Sequence, residues 1–412
     1  MTPPTSWLAC SACGQQAPIA SIGGCPACRG GVLEVAYAAI RDGDASVLSH
    51  SDRVAQTAGI WRWQGLLPVL NGARDPISLG EGDTPLLRAP ELGPNVWLKY
   101  EGKNPTHSFK DRFQAVAISA AVALGKTRVV CASTGNHGVA AAAYSARAGL
   151  RCAVLTHQEA PAAHVEAIRQ FGATPVAVPS NVRNDLLCKL VDSGWYPSTT
   201  FWPMPVSNPY GVEGYKTIAF EIFEQLGQDT LASAHVFVPV GGGDSLYGIY
   251  KGLQELVQLG SLARLPRVHA CQPAGAAPLV AAEASGADEV PHVEVDASLA
   301  LSIREADTGM HALRGLRESG GRAVAVSDTE IMDAAGRLGG LGLSVDPASA
   351  ASVGGALAAL RDHVVTDDGP IVCILTASGA RWPQPRGWLP TGAQLAATTA
   401  DQAYRALAAL SG

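Results

Sequence analysis

The segment NPTHSFKDR contains a lysine, Lys110, at a position where a positive charge needs an explanation. The sequence predicts a helix over 108–125, capped by Thr106 or Ser108, with Lys110 one turn inside it. A cation in the first turn of a helix opposes the helix dipole. One explanation is a desolvated amine that forms a Schiff base with a carbonyl compound. The other is a surface lysine paired with Asp111, and the segment alone leaves both open.

A run of three glycines, Gly241 to Gly243, follows the apolar segment 235–240 and precedes a helix predicted to start near Ser245. Glycines let a ligand approach the backbone closely, and successive N–H groups at a helix N-terminus bind anions. The run lacks the G-K-[ST] ending of a P-loop and the G-x-G-x-x-G pattern of dinucleotide-binding folds. It therefore favours a compact phosphate without a nucleotide, and a flexible turn is the alternative.

Two further loops place polar groups after apolar segments. The loop CASTGNHG, between a predicted strand and a predicted helix, contains Ser133, Thr134, Asn136 and His137. These groups suit a carboxylate or a ring oxygen, and their alternative role is ordinary capping of the helix. In CILTASGA, Thr376 ends a predicted strand. A hydroxyl there fits the mouth of a site or a simple turn.

Four of the nine cysteines lie in the first 28 residues with the spacing C-x2-C-x11-C-x2-C: Cys10, Cys13, Cys25 and Cys28. Two C-x-x-C pairs can complete a tetrahedral zinc site. Such a site leaves no position open for water, so we expect the zinc to be structural. A redox pair or chance clustering is the alternative.

From Val96 onward, short apolar segments alternate with helical patterns. We predict strands at 95–100, 128–132, 152–156, 175–178, 235–240, 267–272, 322–326 and 370–375, with helices between them, notably at 161–171, 328–339 and 348–361. This alternation indicates βαβ units and mainly parallel sheets, enough for two doubly wound α/β domains. Ligands bind at the carboxyl ends of strands in such sheets, so the loops after 132, 240 and 375 are expected to line the site.

The composition and the uncharged segments limit the cellular locations and the classes of partner that we expect for this protein. Lys and Arg number 30 against 36 Asp and Glu, and this net charge of −6 argues against a nucleic-acid-binding role. The first residues show no secretory signal, and the uncharged stretches 129–146 and 193–212 contain polar or proline residues that suit a membrane poorly. We predict a cytoplasmic protein without a membrane or nucleic-acid partner.

Together, and in this order, the four loops resemble those of fold type II pyridoxal-phosphate enzymes, which have a tryptophan synthase β-like fold. Several segments are similar to those of the threonine synthase family: WRWQGLLPV (61–69), LGEGDTPLLRAP (79–90), KYEGKNPTHSFKDR (99–112), CASTGN (131–136), NPYGVEGYKTIAFEI (208–222) and DPASAASVGG (346–355). The cysteine module resembles the zinc ribbon of some long family members. The resemblance implies a zinc ribbon at 1–38, a large cofactor-binding domain at 39–103 and 206–412, and a small domain at 104–205.

The resemblance also implies roles for single residues. Lys110 would bind pyridoxal 5'-phosphate as a Schiff base and later move the substrate Cα proton. Asn136 would hydrogen-bond the ring hydroxyl oxygen of the cofactor, and Thr376 would face its pyridine nitrogen. The cofactor phosphate would be held by Gly241, Gly242, Gly243, Asp244 and Ser245. The substrate carboxylate would be bound by Ser133, Thr134 and His137, with His107 as a further substrate contact.

At several positions the chain departs from the family pattern. His107 replaces the usual glycine before S-F-K-D-R, and Phe113 and Gln114 replace the glycine and methionine that usually follow it. His137 replaces a threonine or serine, and G-G-G-D stands where the family has G-N-A-G-N. A phenylalanine at 113 would narrow the pocket. The two imidazoles would serve as acid, base or anion contacts, and the alternative is that they pack in the core or lie at the surface.

The implied activity is that of a pyridoxal-phosphate-dependent carbon–oxygen lyase or synthase, in a homodimer. It would eliminate a β or γ leaving group from a small amino acid, by default converting O-phosphohomoserine to threonine. The alternative is β-elimination or β-replacement on a serine-type substrate, as in dehydratases, ammonia lyases or cysteate synthase. A remote alternative is a zinc-ribbon docking protein without catalysis, which the lack of an Arg/Lys cluster beside the ribbon disfavours.

Overall fold

A computed structural model describes residues 5–22, 24–28, 31–48, 59–68, 76–200, 208–382 and 402. Their strands form three sheets. The strands are β1 (Ser6–Cys10), β2 (Gln16–Ala17), β3 (Leu33–Tyr37), β4 (Leu86–Arg88), β5 (Val96–Tyr100), β6 (Arg128–Ala132), β7 (Arg151–Thr156), β8 (Thr174–Ala177), β9 (Tyr196–Pro197), β10 (His235–Pro239), β11 (Arg267–Pro273), β12 (Ala323–Val326) and β13 (Ile371–Leu375). The helices are α1 (Ala38–Asp42), α2 (Lys110–Ala123), α3 (Asn136–Arg147), α4 (Ala162–Gln170), α5 (Ser180–Asp192), α6 (Pro209–Leu226), α7 (Gln228–Leu231), α8 (Asp244–Gln258), α9 (Pro278–Ser285), α10 (Met310–Glu318), α11 (Asp328–Gly340) and α12 (Pro347–Arg361).

The largest sheet has six strands in the order β12-β11-β10-β13-β5-β4. All neighbouring pairs are parallel except β4 with β5, which is antiparallel. The central strands β10 and β13 are buried along their whole length. Their continuous apolar runs are typical of parallel strands covered on both faces.

A second sheet has four parallel strands in the order β8-β7-β6-β9. The helices α3, α4 and α5 alternate with its strands along the chain. Two mainly parallel sheets with intervening helices confirm the predicted α/β class. The predicted strands and helices agree with the observed ones to within a few residues, because their apolar periodicity reflects burial on the sheets.

The helix α6 packs against both α2 and α8 in the main core. Small residues permit this close approach. A methyl group at Gly252 on α8 would lie 2.6 Å from the backbone oxygen of Lys216 on α6. A side chain at Gly214 would overlap the carbonyl of Arg112 on α2. These three helices therefore form a tightly packed layer that carries much of the site.

The N-terminal cysteine module is a three-stranded antiparallel sheet in the order β2-β1-β3. The segment after it contains α1 and a 3-10 turn at Ala45–Leu48. Residues 49–58 lie outside the described part of the chain. The proposed domain boundaries stay a prediction, and the residues 201–207 and 383–401 within them are likewise outside the described part. None of the described helices is both long and apolar enough to cross a membrane.

Candidate active site

Lys110 lies in the first turn of α2, beside the carboxyl end of β13. The backbone N–H of Phe109 donates to the carbonyl oxygen of Thr376 over 2.9 Å, and Ser108 forms an isolated antiparallel bridge with Ala377. The glycine loop follows β10, the neighbour of β13 in the sheet. The lysine, the threonine and the glycine loop therefore lie along one edge of the six-stranded sheet, as expected for the carboxyl ends of parallel strands.

The start of α2 differs from the sequence prediction. Lys110 is the first residue of the helix rather than one turn inside it, and the N-cap residue Phe109 makes no side-chain capping bond. Thr106, predicted as a cap, instead donates its N–H and its hydroxyl to the carboxylate of Asp111. Ser108, the other predicted cap, has a buried hydroxyl without a hydrogen-bond partner in the described residues.

The alternative of a surface lysine paired with Asp111 is wrong. The carboxyl group of Asp111 is fully buried and is bound by Thr106. Burial raises the pKa of Asp111 to about 7. The carboxylate of Asp111 is thus engaged by the loop that precedes the helix and not by Lys110.

The amine of Lys110 lies among aromatic rings. Its Nζ atom donates a hydrogen bond to the hydroxyl of Tyr215 over 3.1 Å and lies 4.4 Å from the ring centroid of Phe109. In the described part of the chain, no carboxylate forms an ion pair with this amine. Burial lowers the pKa of Lys110 to about 8, outweighing the opposite effect of Asp244. The neutral amine that Schiff-base formation requires is therefore far more populated near neutral pH than in an ordinary lysine.

The glycine run after β10 leaves its amide groups available. The carbonyl of Gly241 accepts from the hydroxyl of Thr308 over 2.6 Å, and that of Gly242 accepts from the N–H of Gly309 over 2.9 Å. In the described residues, no acceptor takes the N–H groups of the three glycines. Gly243 has a φ of 103°, and a methyl group there would lie 2.5 Å from the Cβ of Ala312. Anchored carbonyls and unused N–H groups at the start of α8 fit a phosphate group.

The carboxylate of Asp244, the residue after the glycine run, contacts a histidine side chain. Its Oδ1 atom lies 3.1 Å from Nε2 of the buried His311 on α10. A second anion beside a phosphate would be repulsive. The backbone N–H of Asp244, rather than its side chain, is thus the group that suits the predicted phosphate contact.

Asn136 begins α3 at the end of β6. The helix is preceded by Gly135 and has no side-chain capping bond, so the capping alternative for this loop is not realised. The Oδ1 atom of Asn136 lies 3.4 Å from Nε2 of the fully buried His164, and burial lowers the pKa of His164 to about 4. The neutral imidazole then donates to Oδ1, which leaves the amide NH₂ group of Asn136 to donate to an acceptor such as a ring oxygen.

His137 uses its donor nitrogen within the protein. Its Nε2 atom donates to the carbonyl oxygen of Ser198 over 2.9 Å. Burial, reinforced by Lys110, lowers the pKa of His137 to about 3, so the imidazole is neutral. Its remaining nitrogen is then an acceptor only. In this arrangement Ser133 and Thr134 are better suited than His137 to bind a carboxylate.

Phe113 fills the space behind His137. The two rings are 4.8 Å apart, and the ring of Tyr215 lies 5.6 Å from that of Phe113. Phe113 is fully buried, and any side chain at Gly211 on α6 would overlap its ring. The residues at 113 and 211 are therefore coupled, since a phenyl ring at one requires glycine at the other.

His107 is exposed in the loop before α2 and has a φ of 63°. Its N–H donates to the carbonyl of Asn104 over 2.8 Å, and its carbonyl accepts from the N–H of Ser378 over 3.0 Å. This left-handed conformation explains why glycine suits the position. Among the described residues, the imidazole of His107 has no side-chain hydrogen-bond partner.

Thr376 heads a chain of buried hydrogen bonds that the sequence did not reveal. Its hydroxyl lies 3.0 Å from that of Ser349, which in turn donates to the carboxylate of Asp346. Burial raises the pKa of Asp346 to about 6. Because the one proton of Ser349 goes to Asp346, Thr376 donates to Ser349 when that carboxylate is ionised. The lone pairs of Thr376 then remain for a ligand.

A buried ion network lies behind the site, centred on Arg112, two residues after Lys110. Arg112 binds Glu101 and Glu221 over 2.7 Å each, and Lys99 binds Glu221 over 2.6 Å. All four side chains are at most 1% exposed. Burial alone would lower the pKa of Arg112, but the two carboxylates raise it above its usual range. This network connects β5, α2 and α6 beneath Lys110.

The four cysteines of the N-terminal module converge. Their Sγ atoms all lie within 4.8 Å of one another, with Cys10 and Cys28 separated by 3.6 Å and Cys13 and Cys25 by 3.9 Å. A side chain at Gly31 would overlap the sulfur of Cys10, which explains the glycine after the second pair. The strand β3 carries Tyr37, whose hydroxyl donates to Glu213 on α6 over 2.8 Å, so the module is anchored to the helix that carries Tyr215.

The fold and the site together define the class of protein. A partly buried lysine lies beside a phosphate-type cradle at the carboxyl ends of strands, in an α/β fold with two mainly parallel sheets. The model of the pyridoxal-phosphate dependent enzyme family matches residues 77–377. This match covers most of the chain and shows that the protein is a pyridoxal-phosphate dependent enzyme.

Relatives within the class narrow the assignment. The chain is 35% identical over 364 residues to threonine synthase from Methanosarcina acetivorans, covering 86% of this chain and 87% of the relative. It is 39% identical over 315 residues to threonine synthase from Mycobacterium bovis, covering 75% and 84%. The chain belongs to the threonine synthase family of pyridoxal-phosphate-dependent lyases.

Solved structures confirm the fold. Maize serine racemase matches with a TM-score of 0.62 at 20% identity, covering 80% of this chain and 94% of that one. Threonine deaminase isoform 2 from Solanum lycopersicum matches with a TM-score of 0.61 at 21% identity, covering 73% and 84%. At this level of identity the likeness concerns the architecture alone.

Proposed function

We propose that this chain converts O-phosphohomoserine and water to threonine and inorganic phosphate, with pyridoxal 5'-phosphate bound to Lys110. The observation that carries the proposal is the low-pKa amine of Lys110 beside unused N–H groups at adjoining strand ends. The threonine synthases at 35% and 39% identity support it. When bound, the cofactor supplies an electron sink for carbanion chemistry.

The other roles in the reaction would be carried out by residues of the protein. Lys110 binds the cofactor and then moves the proton at the substrate Cα. Asn136 donates to the ring hydroxyl oxygen, and Thr376 faces the pyridine nitrogen. The phosphate is held by backbone N–H groups of Gly241, Gly242, Gly243, Asp244 and Ser245. The substrate side is lined by Ser133, Thr134, His137 and His107.

The test measures phosphate and threonine together. Purified holoenzyme should release one phosphate per threonine formed from O-phosphohomoserine. Borohydride reduction should fix the cofactor mass on the peptide that contains Lys110, as read by mass spectrometry. Phosphate release without threonine would contradict the proposed reaction, and label on another lysine would contradict the assignment of Lys110.

A second candidate is β-elimination or β-replacement on a serine-type substrate. The observation that favours it is the Phe113 ring against Gly211, which fills space next to His137. A shorter substrate side chain fits a smaller compartment. Formation of pyruvate from serine or O-phosphoserine, with no threonine from O-phosphohomoserine, would select this activity.

We further propose that the cysteine module holds one structural zinc ion. Four thiolates placed about 2.3 Å from a zinc ion in a tetrahedron lie about 3.8 Å apart, close to the two Sγ separations of 3.6 and 3.9 Å. Elemental analysis should find one zinc per chain. A Cys13→Ser variant should lose the metal, whereas a Cys188→Ser variant, altered outside the module, should retain it.

A cytoplasmic location and a homodimer complete the proposal. Both come from the sequence and its resemblance to the family. Light scattering of the purified protein should give a mass of two chains, and a mass of one chain would contradict the dimer.

A further inference from the structure

Tyr215 is the one hydrogen-bond partner that the described residues offer to the amine of Lys110. It lies on α6, 105 residues further along the chain, and is fully buried. The sequence alone does not mark this tyrosine, because a tyrosine on the apolar face of a helix is typical of a core residue. Only the fold brings its hydroxyl within 3.1 Å of Nζ.

The ring of Tyr215 is held on several sides. It stacks on Phe109 at a centroid distance of 5.0 Å and an interplanar angle of 26°, and Phe113 borders it at 5.6 Å. On α8, a methyl group at Gly248 would lie 2.6 Å from the Cβ of Tyr215. The glycine lets α8, which begins at the phosphate-type cradle, lie directly against this side chain. The hydroxyl is therefore fixed in position relative to both Lys110 and the cradle.

We propose that Tyr215 is a positioning residue that holds the amine of Lys110 whenever that amine is free. The amine is free before the cofactor binds and again after the amino group of a substrate has displaced it. This inference rests on the proposed function of Lys110 as the cofactor-binding lysine. It does not depend on which amino acid is the substrate.

A phenol suits this task because it can both accept and donate a hydrogen bond. Burial, reinforced by Asp244, keeps the pKa of Tyr215 well above its ordinary value, so the hydroxyl stays protonated. It accepts from the charged amine and donates to the lone pair of the neutral amine. Lys110 is thus held in place in either protonation state, ready to take or give a proton.

The charged and titratable groups around the amine come from several elements. They are Tyr215 on α6, Asp244 on α8, Cys131 on β6, His137 on α3 and Glu305 in the loop before α10. Burial keeps Cys131 protonated by raising its pKa, and His137 is neutral. Two acidic groups therefore favour the charged amine, and Tyr215 supplies its direct hydrogen bond.

The test uses a Tyr215→Phe variant in cofactor-stripped protein. The pKa of Lys110 is read from the pH dependence of its acetylation, followed by mass spectrometry of its peptide. A charged donor loses more than a neutral one when its acceptor is removed. We therefore expect the pKa of Lys110 to fall by about one pH unit. In the holoenzyme, kcat should fall about tenfold with little change in KM.

A Tyr250→Phe variant is the matched control, since Tyr250 is also buried but bonds Glu318 on α10. It should leave both the pKa of Lys110 and kcat unchanged. If Tyr215→Phe fails to fold, fluorotyrosine at position 215 keeps the shape and lowers the phenol pKa. It should shift the pH profile of kcat.

An unchanged pKa of Lys110 and an unchanged pH profile in a folded Tyr215→Phe variant would overturn the inference. The acetylation experiment uses neither substrate nor cofactor. A wild-type enzyme that is inactive on O-phosphohomoserine would therefore contradict the proposed reaction and leave the Tyr215 result readable.

Discussion

Two cations on the same helix, the partly buried Lys110 and the fully buried Arg112, have opposite surroundings. The amine of Lys110 is among aromatic rings with a phenol as its hydrogen-bond partner. The guanidinium of Arg112, two residues further, is bound by Glu101 and Glu221. Burial without a direct carboxylate partner lowers the pKa of Lys110 to about 8. Burial between two carboxylates keeps Arg112 charged.

The two environments give the two cations different roles: Lys110 is suited to reactivity and Arg112 to stability. A lysine that can lose its proton near neutral pH is a nucleophile and a proton carrier. An arginine that cannot lose its proton is suited to a fixed ionic contact. The two requirements are met on one turn of α2 because its first residue faces the site and Arg112 faces α6 and β5. The role of each cation can be tested separately by substitution.

Replacement of the reactive cation should have the largest effect on activity. Lys110→Ala removes the group that binds the cofactor covalently and moves the proton, so kcat/KM should fall at least ~10³-fold. The free energy of unfolding should change little, since no carboxylate of the described residues forms an ion pair with the amine. Lys189→Ala, which alters an exposed lysine on α5, is the control and should keep full activity. Residual activity of Lys110→Ala above a tenth of wild type would contradict its role.

Replacement of the structural cation should have the largest effect on stability. Arg112→Met leaves Glu101 and Glu221 buried with Lys99 as their remaining cation, which costs about 3–5 kcal/mol in the free energy of unfolding. Denaturant unfolding measures the loss. Arg337→Met, at an exposed ion pair with Asp333, should cost less than ~0.5 kcal/mol. Equal losses in the free energy of unfolding in the two variants would show that burial of the network does not contribute to stability.

The comparison also shows what the sequence could predict. Strand and helix positions followed from apolar periodicity, and the strand-end rule indicated the loops after 132, 240 and 375. The placement of Lys110 inside its helix was wrong, because Thr106 has the residue type of a cap but binds Asp111 instead. No local pattern marks the hydroxyl of Tyr215 as a partner of Lys110, since that contact exists only after α6 packs against α2.

Long-range ionic and hydrogen-bonded partners were missed for the same reason. Lys99 and Glu221 are 122 positions apart in the chain, and Thr376 and Ser349 are 27 apart. Their pairing depends on strand order and helix packing. Sequence reasoning recognises residue types at short spacing, as with the four cysteines, but not the partners that a fold brings together.

Phe113, the residue after Arg112, is buried and packs against the rings of His137 and Tyr215. Phe113→Leu should enlarge the compartment beside His137. The ratio of kcat/KM for O-phosphohomoserine over O-phosphoserine should rise about tenfold, the magnitude expected for roughly one methylene of pocket space. Phe223→Leu, on the far part of α6, should leave the ratio unchanged. An unchanged ratio in Phe113→Leu would remove this ring from substrate selection.

The pKa of Lys110 in the cofactor-stripped wild-type protein tests the central claim most directly. Below this pKa the amine is protonated and unreactive, and acetylation rises as the pH increases through it. A midpoint near pH 8 is the predicted result. A midpoint near 10.5, the ordinary value for lysine, would contradict the account, because it would mean that the amine is solvated or paired like any surface lysine.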